Sequence, residues 1–442
     1  MQEKKSDLPI KNPLREQTPL KTVHWTAAVQ LILSILAGLG FWGMALTFAL
    51  FGGVLFFGFP TTTSGGLSMD ASSLFLLAAS LFWMGILVMP SAYFAGKRLK
   101  NSIDEVSPGV SSTAVRFMLI SLAVLTASLW LGYSFGKERY FASLVLPILH
   151  ILAISLPIFW MTFLGISGIP SLKPRQMWGV FASSLTLGPL IIMLLEIMAM
   201  LLFIFVAVVI LVSQPGWVEE ISQIGLRLSY APNEIVIERI ILPYLVKPGV
   251  ALPLLFYVAV IVPLIEEALK PIGVWLLLPG GLSGPQGFII GLVCGAGYAL
   301  FESLLLAMVS NDWTSVVLGR AATGLLHIAN CGLVGWALAE AFGNKIRPKD
   351  AMRRLWGAYF LAVALHGLWN GLTLFGLWAT LAEKTASEFP AWLLQLGKAS
   401  PYGLVAIALT ALMILIYENN IARRRVAFGQ TAALAGDVSN HG

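Results

Sequence analysis

The residues able to do chemistry are concentrated in the second half of the chain. The run IVPLIEEALKP carries Glu266, Glu267 and Lys270. Side chains three and four apart on a helix are neighbours, so Lys270 can pair with either carboxylate. Further along, GAGYALFESL separates Tyr298 and Glu302 by four positions, and HGLWN separates His366 and Asn370 by four, so each pair shares a helix face. Arg320 and His327 lie between these segments. The three glutamates exceed the two fixed cations by one negative charge before either histidine is counted. Such an excess in a low-dielectric site favours a shared proton, the condition for general acid and base work near neutral pH.

The elements that must position these residues are membrane helices. Of 442 residues, 57% are hydrophobic and 11% charged, against about 25% charged in an ordinary soluble domain. A spanning helix needs about 20 largely apolar residues, and the chain offers about ten such runs: 25–58, 74–95, 114–135, 141–164, 178–213, 250–278, 286–309, 315–342, 355–381 and 401–417. The expected fold is therefore all-α, a polytopic membrane helix bundle. The first and fifth runs are long enough to be either one tilted helix or two short ones. Lys97, Arg98 and Lys100, Lys173 and Arg175, Lys345 to Arg354, and Arg423 to Arg425 fall on the side that also holds both ends. The positive-inside rule makes that side the cytoplasm.

The organisation expected is a polar cytoplasmic tail over 1–24, a scaffold of about five helices over 25–214, an extracytoplasmic amphipathic segment over 215–249, a working domain of about five helices over 250–417, and a cytoplasmic tail over 418–442. The apolar run after the polar start is too long for a cleavable leader. The segment 215–249 interleaves apolar and charged residues, as a helix lying in the interface would. The formal charge of +6 sits in short clusters between apolar runs, which speaks for membrane orientation and against nucleic acid. Cys294 and Cys331 both lie in apolar stretches, so no disulfide framework or cysteine zinc module is available.

A charge at mid-membrane costs on the order of 2.5–3.5 kcal/mol, so charges inside spans face protein or water. Glu266, Glu267, Lys270, Glu302 and Arg320, with His327, His366 and Asn370, must then converge on one polar cavity. Pro263 and Pro271 bracket the first motif and loosen its helix. Gly287, Gly291 and Gly295 form a groove for a neighbouring helix. Glu196 and His150, in the first five runs, have no partner motif and are read as structural.

Four ordered elements now carry a resemblance: EExxK at Glu266 to Lys270, the aromatic-xxx-E pattern at Tyr298 to Glu302, His327 in the third helix of the set, and HxxxN at His366 to Asn370. Over about 250–375 the chain resembles the PrsW family of intramembrane proteases, relatives of the CAAX prenyl endopeptidases and of the multi-pass non-catalytic subunit of gamma-secretase. Tyr298 stands where phenylalanine is usual, and Glu302 where the prenyl endopeptidases have histidine. The resemblance implies that Glu266 activates water for attack on a peptide carbonyl, with His327 or Glu302 orienting it. His366 and Asn370 would serve the oxyanion, Lys270 would hold Glu267, and Arg320 would hold Glu302. It implies a glutamic-type peptidase in a prokaryotic plasma membrane, acting on membrane-anchored, signalling-type proteins or peptides.

No metal cofactor is expected on this reading. The second reading is a zinc protease built from the same histidines and glutamates, although HExxH is missing and the histidines lie on different spans. A non-catalytic membrane scaffold and a proton-coupled transporter are the remaining alternatives.

Overall fold

In a computed structural model, the structure describes residues 25–58, 70–100, 112–170, 172–213, 215–232, 234–245, 247–305, 313–343, 349–385 and 390–440. The polar segment 1–24 lies outside the described residues, as do Lys345 and Arg347. Among the described residues there is no strand, and ten helical stretches are long and apolar enough to cross a membrane.

The chain forms α1 (Trp25–Phe56), α2 (Ala71–Leu99), α3 (Ser112–Phe135), α4 (Arg139–Leu144), α5 (Leu146–Ile166), α6 (Pro174–Leu185), α7 (Leu187–Val212), α8 (Trp217–Ser229), α9 (Glu234–Leu245), α10 (Pro248–Phe256), a π-helical turn (Tyr257–Ile261), α11 (Val262–Leu269), α12 (Ile272–Leu277), a short 3-10 turn (Leu278–Gly280), α13 (Gly284–Leu305), α14 (Trp313–Phe342), α15 (Lys349–Thr385) and α16 (Ala391–Asn440). The first long apolar run is one helix. The fifth is broken at Thr186, whose hydroxyl bonds back to the Ala182 carbonyl at 2.7 Å, with Pro189 in the first turn that follows. The polar segment after 417 continues α16 instead of leaving it as a separate tail.

Helices α13 and α14 are the centre, with spanning windows 83% buried; those of α1, α3 and the α6–α7 stretch are 22%, 17% and 6% buried. The expected glycine groove is what brings the central pair together. A methyl group at Gly287, Gly291 or Gly295 would collide with the carbonyl oxygens of Gly335, Cys331 or His327 respectively. Without a hydrophobic drive between helices in lipid, such close backbone approach supplies the contact energy. It also sets the backbone of His327 directly against α13. Around this pair pack α5, α6, α12, α15 and α16. His150 of α5 accepts from the Trp313 indole at 3.3 Å and is fully buried, a packing role.

The outer elements are less enclosed. Among the described side chains, α7 buries Ile192 alone of its long apolar residues, and α8 buries none of its residues. Near α8, Lys247 pairs with Glu220 at 2.5 Å and lies 4.5 Å from the Tyr244 ring centre. An apolar cavity of about 490 Å³ sits between α1, α2 and the start of α5, lined by Trp42, Phe75 and Phe82, away from the charged residues.

Candidate active site

The EExxK motif occupies α11, a helix of eight residues with a defect at each end. Pro263 has no N–H, so the i→i−5 bond that the preceding π turn would give to the Val258 carbonyl cannot form. Asn370 of α15 supplies the missing donor, Nδ2 to Val258 O at 3.0 Å. At the other end Pro271 breaks the helix, and the Trp275 indole donates to the Ala268 carbonyl at 2.9 Å. Both defects are satisfied by side chains, which is how a broken helix survives at membrane depth. The hydroxyl of Tyr359 adds a third clamp, on Leu264 O at 2.8 Å.

Lys270 is the hub, fully buried, with acceptors from α11 and α14 around it and the His366 ring of α15 alongside. Its Nζ lies 2.7 Å from Glu266 Oε2, 2.7 Å from Glu267 Oε1, 2.9 Å from His327 Nδ1 and 3.4 Å from His366 Nδ1. The Tyr298 ring covers it, with the ammonium 4.8 Å from the ring centre, a cation–π contact. Since Nδ1 of His327 accepts from an ammonium, the proton of this imidazole is on Nε2, which donates to Glu302 Oε2 at 2.8 Å. Arg320 reaches the same oxygen at 2.9 Å and donates from Nε to Ser303 Oγ at 3.2 Å. His366 donates from Nδ1 to Glu267 Oε1 at 2.8 Å and turns Nε2 toward Glu266 Oε2 at 3.9 Å. Eight of the nine residues singled out in the sequence therefore meet in one cluster, and the ninth, Asn370, is engaged by the Val258 carbonyl of the π turn.

The glutamates differ in how they are held. Glu267 is sealed, its Oε1 shared between Lys270 and His366. Glu302 is locked by Arg320 and His327. Glu266 Oε2 touches Lys270 as an ion pair but off the hydrogen-bond direction, and takes no directed hydrogen bond. The Tyr298 hydroxyl also interacts with this carboxylate. The Glu266 side chain keeps 10% exposure where Glu267 has none, and Glu302 at 34% forms the open edge of the cluster.

A metal needs donors converging on one point, and a Glu267 oxygen with one nitrogen each of His327 and His366 lie within 4.8 Å of one another. That point is taken by the Lys270 ammonium. A divalent ion there would sit in contact with a fixed positive charge at low dielectric, where repulsion is strong. The donor set does not fit a metal while Lys270 keeps this position.

One further residue belongs to the site. Glu196, read from sequence as structural, brings its carboxyl group within hydrogen-bonding reach of Glu266. The Tyr257 hydroxyl fixes its helix by donating to the Glu196 carbonyl at 2.8 Å. The only sequence signal was its charge within the apolar run LLEIM.

A family model described as PrsW family intramembrane metalloprotease matches residues 174–394, half of the chain. The match begins at α6 and so takes in α7 with Glu196, as well as every residue of the Lys270 cluster. No curated protein and no solved structure matches.

Proposed function

The chain belongs to the PrsW family of intramembrane proteases, and from that premise we propose that it hydrolyses peptide bonds with a water activated by Glu266, without a metal ion. The observation that carries this reading is the position of Lys270 Nζ, within 2.7–3.4 Å of Glu266, Glu267, His327 and His366 at once. The family description names a metal, but the donors suited to one are closed around this ammonium. The cation that organises the carboxylates is supplied by the chain itself.

In this reading Glu266 takes the proton of the attacking water, because its side chain keeps 10% exposure where that of Glu267 keeps none. Lys270 holds Glu266 and Glu267 at fixed separation. Glu267 orients His366, whose Nε2 lies on the Glu266 side and serves the oxyanion. His327 and Arg320 hold Glu302 at the open edge, where water enters. Asn370, with its amide nitrogen engaged by Val258, positions the π turn in preference to touching substrate. The substrates are membrane-anchored proteins or peptides, of signalling type on the family analogy. With both ends cytoplasmic in a prokaryotic plasma membrane, the Glu302 edge faces the outer side, and α8 lies in the interface.

The test compares membrane-protein N-termini by mass spectrometry in cells expressing the intact protein or Glu266→Gln at matched abundance. New termini that require Glu266 support the reading; identical termini with both well-folded proteins reject it.

A further inference from the structure

The glutamates of the cluster number three in the mechanism above, yet a fourth faces it. Glu196 comes from α7, a helix that buries little else, and its carboxyl group meets that of Glu266. Its Oε1 is buried and has no hydrogen-bond partner, and Glu266 Oε2 has no directed one. Two facing ionised carboxylates repel, and each would leave a desolvated oxygen without a donor. One proton between them removes both penalties. The charge count points the same way: Glu196, Glu266, Glu267 and Glu302 exceed Lys270 and Arg320 by two negative charges, with His327 held neutral by accepting from Lys270, and a proton on this pair reduces that excess. Tyr257 fixes the register of α7 at this position.

We propose that Glu196 is the general acid of the site, a second catalytic carboxyl that works opposite Glu266. This rests on the reading of Glu266 as the water-activating base. The water oxygen bonds to the scissile carbonyl carbon as one of its protons passes to Glu266. The C–N bond then breaks as the nitrogen takes the proton of Glu196, releasing the amine. Transfer of the proton from Glu266 to Glu196 across their contact restores both groups. No other reactant is needed, and the division of labour is that of any carboxyl pair sharing one proton. The groups that face this pair are Lys270, His366, His327 and Glu302 from the cluster, Tyr257 from the π turn and Tyr298 from α13.

The experiment uses the full chain in lipid vesicles with a spanning peptide substrate and its counterpart carrying an ester at the scissile bond. An alkoxide leaves with far less need of a proton than an amine. Glu196→Gln is expected to slow amide cleavage by about a hundredfold or more, the ordinary worth of general acid catalysis, while ester cleavage falls much less. Glu196→Asp should recover part of the amide rate. Glu266→Gln should abolish both, and if it leaves both intact it is the base that is misassigned. Equal loss of amide and ester cleavage in Glu196→Gln, or no loss, overturns the proposal. Infrared spectra of the purified protein without substrate decide the matter separately. A carbonyl band of a protonated carboxyl group that vanishes in Glu196→Gln supports the pair, and one unchanged by that substitution overturns it.

Discussion

The ammonium nitrogen of Lys270 lies 2.9 Å from Nδ1 of His327, and this contact fixes which nitrogen of the imidazole carries its proton. A cation between two buried carboxylates of its own segment and a histidine of α14 ties together two helices that share no sequence neighbourhood. Removing one member of a buried charge pair costs about 3–5 kcal/mol, so Lys270→Met should lower thermal stability by that order and abolish cleavage. Lys270→Arg should not restore activity, because a planar fork cannot aim three donors inward from one atom. Thermal unfolding of the two variants in detergent, beside a cleavage assay, checks both statements.

Emptying the hub should change what the cluster binds. The intact protein is expected to carry much less than one transition metal per chain and to keep its activity in chelator. Lys270→Ala leaves a carboxylate and two histidines around a vacant point, and should retain zinc after purification. Elemental mass spectrometry reads both; stoichiometric zinc in the intact protein with activity lost to chelator would reverse the assignment.

Glu302 and Arg320 meet at 2.9 Å on the accessible side of the cluster. Either single charge reversal should reduce cleavage at least about tenfold, the loss of an oriented partner being worth at least 1.4 kcal/mol here. The double swap should recover part of it, and absence of any rescue would mean that the pair is not a unit.

Asn370 offers a separation of roles. If its amide serves the Val258 carbonyl, Asn370→Leu leaves a buried acceptor orphaned and should cost about 1–3 kcal/mol in stability along with activity. A large fall in kcat with unchanged stability would instead show an oxyanion donor.

The central seam is equally exposed to test. Gly291→Ala puts a methyl group against the Cys331 carbonyl, a backbone atom with nowhere to go. Overpacking of this kind costs about 1–3 kcal/mol. Because the same seam carries His327, activity should fall more steeply than the unfolding temperature.

The spans were legible because twenty apolar residues in a row have few other uses, and the EExxK, YxxxE and HxxxN faces were legible because helical spacing alone fixes them. What spacing could not show were relationships between helices. Glu196 has its partner on α11, and no periodicity joins the two. Asn370 was readable as a polar residue beside His366, but its acceptor exists only because a π turn and Pro263 together free the Val258 carbonyl. The length of the fifth run left open whether it is one helix or two, and Ser183, Ser184, Thr186 and Pro189 mark where it breaks without deciding that it does. The metal question turned on whether Lys270 points toward or away from the histidines, which depends on how three helices pack.

The π turn at Tyr257–Ile261 also acts as a phase shifter. An extra residue in one turn rotates everything beyond it by about 100° relative to an unbroken α-helix. The lipid-facing stripe of α10 is therefore not continued by α11, and the two adjoining glutamates are carried round to the protein interior by that offset. Deleting one residue from this turn would leave the apolar character of the span and every motif in place while turning Glu266 and Glu267 away from His327 and His366. For this span, residue count is a coordinate of the chemistry: a frame that can be lost without altering any catalytic side chain.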